Sequence, residues 1–94
     1  MNMTDSDFVK NGKTLFAKII AQRRWLITNK KGHISASDAL TQINNLEYAN
    51  AKIKDAKQLK SYIQRKQTTL KYLINSNYKQ QHELLNALID AQIH

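Results

Sequence analysis

The side chains best suited to chemistry in this sequence are cations, and they are concentrated in two segments. Residues 10–31 contain seven lysines and arginines and no acid, and residues 52–66 contain six such residues against one acid. The rest of the chain is net acidic, so these two segments supply the whole formal charge of +8. Because ammonium and guanidinium groups bind phosphate oxygens, this distribution favours an anionic partner: nucleic acid, an acidic protein surface or a nucleotide. A lysine-rich surface that only keeps the chain soluble is the alternative.

The second basic segment predicts a polar helical face opposite an apolar stripe. Its cations recur at helical spacing, with Ser61, Gln64 and Thr68 between them. Long basic side chains interleaved with short hydrogen-bonding ones suit a row of phosphate contacts. A helix face that is simply solvated has the same composition. The predicted phosphate-contacting residues are Lys54, Lys57, Lys60 and Arg65 of this segment, with Lys71 just beyond it.

The first basic segment predicts a second anion-binding patch and an apolar strip beside it. The predicted patch consists of Arg23, Arg24, Lys30 and Lys31.

The apolar strip contains Trp25, the only tryptophan of the chain. At 100° per residue, Trp25 lies roughly opposite Ile19 at the centre of the first helix's core stripe, and Ala17 and Ala21 precede it at steps of four. A helix that is apolar on two sides is normally buried on two sides. The strip is therefore predicted to meet another helix of the same chain, a second subunit or a partner, with stacking of Trp25 on a nucleotide as a further alternative.

The residues that catalysis or metal binding would need are absent or scattered. There is no cysteine, and the histidines His33, His82 and His94 show no metal-ligand spacing. The seven acids are dispersed, and no glycine-rich loop could hold a phosphate. The sequence therefore predicts a protein that is not an enzyme, with no cofactor, no metal and no catalytic residues.

The near absence of helix breakers predicts an all-α fold. The chain has no proline and only two glycines, Gly12 and Gly32. Turns between strands need such residues, so we expect one domain over 1–94 built as a bundle of three to four helices. The first helix is predicted to start after Thr4, Asp5 or Ser6, with a start at Asn11 as the rival because Gly12 is a poor interior residue.

The central segment 37–74 allows two arrangements within the predicted bundle. Its apolar residues recur every three or four positions, which predicts a long central helix of about 57 Å if it is continuous. The stripe rotates too far for a straight helix, so we expect a bend or break near residues 51–58, or different partners for the two halves. Ser76 or Asn77 is the predicted cap of a last helix that extends to Ile93.

Composition also yields expectations about location and assembly. The polar, acidic N-terminus lacks the features of a secretion signal, and no segment is apolar enough for a membrane span. The predicted location is the cytoplasm of a bacterium or of a phage-infected cell. A chain of 94 residues buries a modest core, so self-association as a homo-oligomer is expected.

Three hypotheses for function follow from these patterns. The first is a small basic protein that binds nucleic acid phosphates through helical lysines and arginines. The second is an inhibitor or adaptor, of the kind that phages and other mobile elements use, which binds a host protein or sequesters an anionic nucleotide. The third is a homo-oligomeric structural protein whose charge serves solubility alone.

Overall fold

A computed structural model describes residues 2–29 and 36–93. Five helices make up most of this part of the chain, which confirms the all-α prediction. The helices are α1 (Asp5–Asn29), α2 (Ala36–Lys52), α3 (Ala56–Arg65), α4 (Gln67–Leu73) and α5 (Lys79–Asp90). The predicted number of three to four was slightly low, because the segment 37–74 is interrupted twice.

The first helix begins where the sequence predicts. The Thr4 hydroxyl oxygen accepts a hydrogen bond from the backbone N–H of Asp7 at 3.1 Å, and Thr4 is therefore the N-cap. The alternative start at Asn11 is wrong. Gly12 lies inside α1, and Leu59 packs directly against it. A β-carbon at this position would lie 2.4 Å from Leu59 Cδ2, which explains why a glycine is found here. The glycine thus permits close approach of α1 and α3.

The predicted break in the central segment is present and is capped by side chains. The Asp55 carboxylate accepts a hydrogen bond from the backbone N–H of Gln58 at 2.8 Å, and the Gln58 side-chain oxygen accepts one from the backbone N–H of Lys54 at 2.9 Å. This reciprocal pattern resembles a capping box and starts α3 independently of α2. A second interruption at Lys66 separates α3 from α4.

The end of the chain differs from the prediction in two ways. Helix α5 begins at Lys79 with Tyr78 at its N-cap, so the predicted caps Ser76 and Asn77 are wrong. The Asn75 side chain instead accepts a hydrogen bond from the backbone N–H of Asn77 at 3.0 Å and closes the preceding turn. Ile93, predicted in the last helix, lies in a short strand.

That strand pairs the two ends of the chain. The segments β1 (Asn2–Met3) and β2 (Gln92–Ile93) form a parallel ladder of two residues each. Met3 is buried against the helical core. The pairing therefore fixes the N-terminal segment beside the end of α5, an arrangement that the sequence patterns did not predict.

One apolar core lies between the helices. Phe16 packs edge-on against Tyr62 with ring centroids 5.8 Å apart. The largest fully buried side chains are Phe8, Leu15, Phe16, Ile19, Ile43, Leu46, Leu59, Ile63, Leu70, Leu85 and Leu88.

None of the helices in the described ranges is long and apolar enough to cross a membrane.

Candidate nucleic-acid interface

Some of the cations stabilise the fold instead of facing solvent. The last carbonyls of a helix have no partner within the helix and carry partial negative charge, so a lysine or arginine nearby is favourable. Lys13 Nζ, for example, donates to the carbonyl oxygen of Ile53 at 2.6 Å, just beyond the end of α2. Two of the predicted anion-binding residues have the same role.

Lys60 is the first of these and corrects the predicted row. Its Nζ lies 2.7 Å from the carbonyl oxygen of Ile89 and 2.8 Å from that of Ala91, with a longer bond to Leu88. The ammonium group therefore caps the C-terminus of α5. Lys60 is therefore not available for phosphate contacts, because its three N–H donors are already used.

Arg23 is the second, and it corrects the predicted patch on α1. The side chain is buried, with 6% of the residue exposed. Its Nε and Nη2 donate to the carbonyl oxygen of Leu73, and Nη2 also donates to that of Tyr72 at 2.8 Å. Arg23 thus ties α1 to the end of α4. Its position four residues after Ile19 and three after Ile20, within the core stripe, was an overlooked sign of burial.

Arg24 is also unsuited to an open anion patch, because a carboxylate neutralises it. Its guanidinium lies 2.6 Å from Glu47 on α2 and also donates to Asn44. The hydrogen bond from Arg24 holds the pKa of the Glu47 carboxyl below its ordinary value, and the same bond raises the pKa of Arg24. Lys30 and Lys31 lie outside the described residues. The two described members of the predicted second patch, Arg23 and Arg24, are both bonded within the protein.

The outer side of α3 keeps its cations exposed. Lys54, Lys57 and Arg65 are all on the surface, and so is Lys66, which follows directly and which the sequence patterns did not single out. Within residues 2–29 and 36–93, none of these four cations forms an ion pair; the ion pair found there joins Arg24 and Glu47. We call Lys54, Lys57, Arg65 and Lys66 the α3 face.

Hydrogen-bonding side chains accompany the α3 face. Ser61 and Gln64 are exposed on the same helix and line a shallow groove with Lys57. Asp5 borders this groove from α1. The nearer acid, Asp55, has its carboxylate bound to the α3 backbone as a cap. Net positive charge therefore remains on this side of the molecule.

Lys71 belongs to a different surface. It is exposed on α4, beyond the interruption at Lys66, and lines a groove with Arg23 and His82. The predicted row of five cations is therefore divided: Lys54, Lys57 and Arg65 stay together, Lys60 turns inward and Lys71 lies on the next helix.

The strip of Ala17, Ala21 and Trp25 is exposed along its whole length. Trp25 has 57% of its surface accessible, and both alanines are exposed. Packing against another helix of the same chain is therefore wrong for the described residues. The alternatives of a second subunit, a protein partner or a stacked base remain predictions.

Metal-ligand side chains do not gather in the described ranges. No group of three histidine, cysteine or acidic residues there could hold an ion. The absence of catalysis and of a cofactor stays a prediction from the sequence.

Comparison of the chain with protein-family models, curated proteins and solved structures finds no match in any of the three. Any assignment of function therefore depends on the residues themselves and on where the fold places them.

Proposed function

We propose that this protein binds nucleic acid through the α3 face, with little reading of base sequence. The observation that supports this proposal is the separation of the cations into two groups. Lys13, Arg23 and Lys60 are used by helix carbonyls. The cations of the α3 face point outward without an ion pair in the part of the chain that the structure describes.

The dimensions of α3 suit a short run of phosphates. A helix of ten residues is about 15 Å long, and one strand of a duplex presents a phosphate about every 3.4 Å of axis. The α3 face therefore spans about four phosphates. Lysine and arginine supply charge, and Ser61 and Gln64 supply neutral donors to phosphate oxygens. Such contacts position a protein on a duplex and carry no base specificity.

The direct test compares two variants of equal net charge. We expect K54Q/K57Q/R65Q to bind a random-sequence DNA or RNA duplex at least about tenfold more weakly than the wild type, because three phosphate contacts are lost. The matched control K10Q/K18Q/K79Q removes three exposed cations from α1 and α5. It should lose much less affinity. Equal losses in the two variants would mean that net charge alone attracts the nucleic acid and that the α3 face has no special role.

A second candidate, a protein-binding inhibitor or adaptor, is favoured by the exposure of Trp25. Exposed tryptophans flanked by cations are typical of binding hot spots. After nuclease treatment of a host lysate, a tagged protein of this class would retain a partner, and W25A would release it. Y48A is the matched control, since Tyr48 is exposed on α2 to 66%. Retention that depends on neither aromatic residue would argue against this candidate.

A further inference from the structure

A groove beside the end of α4 is lined by nitrogen-bearing side chains from three helices. Arg23 of α1, Lys71 of α4 and His82 of α5 line it, together with Asn75 and Ser76 of the intervening turn. The groove has a volume of about 410 Å³, and no carboxylate is among the described residues that line it. Tyr72 and Ile74 complete the lining. Its other side chains carry nitrogen donors, a hydroxyl and an amide, which are groups that bind phosphate.

Arg23 gives this groove a rigid donor. Its Nε and Nη2 are held by the carbonyl oxygens of Tyr72 and Leu73, so the plane of the guanidinium is fixed. Its Nη1 makes no hydrogen bond to any of the described residues and is therefore available to a ligand. A planar, pre-oriented arginine loses little conformational entropy when it binds an anion, and burial strengthens a charge-assisted hydrogen bond.

An exposed aromatic ring stands next to the same groove. Tyr72 has 53% of its surface accessible, and the Arg23 guanidinium carbon lies 5.5 Å from its ring centroid. The ring also borders a second groove of about 460 Å³, where Gln42, Thr68 and Thr69 supply amide and hydroxyl groups and Asp38 a carboxylate. An accessible tyrosine ring is a platform on which a nucleobase stacks.

We propose that these two grooves form a nucleotide site. In this site the phosphate contacts Arg23, Lys71 and His82, and the base stacks on the ring of Tyr72. The edge of the base then hydrogen-bonds to the side chains of Gln42, Thr68 and Thr69. The shared chemistry is a nucleoside phosphate monoester, which is presented by a free mononucleotide or by the phosphorylated end of a strand. This inference does not depend on the proposed function, because none of its residues belongs to the α3 face.

Isothermal titration calorimetry on the full chain tests the site. The probes are the four nucleoside monophosphates, the unphosphorylated nucleosides, inorganic phosphate, and a trinucleotide with and without a 5′-phosphate. At least one monophosphate or the trinucleotide should bind, and its nucleoside or unphosphorylated counterpart should not. Binding of the monophosphates identifies a free nucleotide as the source. Binding of the trinucleotide alone identifies the end of a strand.

Variants separate the contributions of charge and stacking. K71Q/H82Q should weaken binding of the responding probe at least tenfold, and Y72L should weaken it while leaving inorganic phosphate unaffected. Arg23 is kept because it caps α4. The control K52Q/Y48L alters an exposed lysine and tyrosine whose Nζ and ring centroid lie 5.1 Å apart on α2, and it should bind as the wild type does.

Three results would overturn the site: no binding of any phosphorylated probe, unchanged binding by K71Q/H82Q, or inorganic phosphate bound as tightly as the nucleotide. Failure of the two proposals is distinguishable. K54Q/K57Q/R65Q should bind the nucleotide with the affinity of the wild type, and K71Q/H82Q should bind the duplex with the affinity of the wild type.

Discussion

The ammonium nitrogen of Lys60 lies 2.7 Å from the carbonyl oxygen of Ile89, at the end of the last helix. Lys57, less than one turn earlier on α3, is exposed and makes no such contact. Two lysines on one short helix therefore have opposite roles, because one faces the end of α5 and the other faces water. The cations of this protein therefore divide into those that cap helices and those that face solvent.

Replacement of Lys60 should lower stability, whereas replacement of Lys57 should not. K60Q removes hydrogen bonds to three carbonyl oxygens at the end of α5, and we expect a loss of about 1–2 kcal/mol in the free energy of unfolding. K57Q should change it by less than about 0.5 kcal/mol. Urea unfolding followed by circular dichroism measures both. Equal stabilities of the two variants would contradict the capping role of Lys60.

Gly12 and Leu59 should be energetically coupled. A β-carbon at position 12 would lie 2.4 Å from Leu59 Cδ2, so G12A forces a buried side chain to move, at a cost of about 1–3 kcal/mol that better helix propensity partly offsets. L59A leaves a cavity and should cost about 2–5 kcal/mol. In G12A/L59A the new methyl group occupies part of that cavity, so the double variant should be more stable than the sum of the single losses predicts. Additive losses in urea unfolding would contradict the close contact.

Tyr62 should ionise later than an exposed tyrosine on alkaline titration. Burial raises the pKa of its hydroxyl, and the charge of Arg65 opposes part of that rise. The R65Q variant should therefore raise the pKa of Tyr62 further, and Y62F should remove the late step from a near-ultraviolet absorbance titration.

The sign of the effect of Tyr62 on stability follows from the same shift. Its pKa is raised in the folded state, so its contribution is complete below the unfolded value of about 10 and is lost as the pH rises through the folded value. Wild type and Y62F should therefore differ in how steeply stability falls at alkaline pH. Parallel curves would contradict the shift.

The exposed strip of Ala17, Ala21 and Trp25 tests whether the chain forms a homo-oligomer. If the strip joins two copies, W25A should reduce the molar mass measured by light scattering to that of one chain, and the matched variant Y48A should leave it unchanged. A wild type that already has the mass of one chain would contradict the expected self-association and leave the strip for a different partner.

Local sequence signals predicted those parts of the fold that local interactions determine. The start of α1 after Thr4 and the break before α3 follow from capping residues that act within three or four positions. The parallel pairing of β1 with β2 has no such signal, because each segment has two residues and its partner lies at the other end of the chain.

The candidate site was predictable only in part, for a similar reason. Lys57 and Lys60 both lie on the polar side of α3, and the sequence does not reveal that the end of α5 approaches Lys60. Arg23 is the opposite case, since its place in the core stripe of α1 indicates burial through helical periodicity alone. Periodicity identifies the side of a helix on which a cation lies, but tertiary packing decides whether that cation remains accessible.

The dependence of duplex binding on salt concentration tests the central claim most directly. With three to four phosphate contacts, the slope of log affinity against log salt should be about −3, which gives a loss on the order of a hundredfold between about 50 and about 300 mM salt. The K54Q/K57Q/R65Q variant should reduce the slope to about −1 or closer to zero, because only Lys66 of the α3 face remains, and K10Q/K18Q/K79Q should leave most of it. A wild-type affinity that changes less than about threefold over this range would contradict phosphate binding by the α3 face.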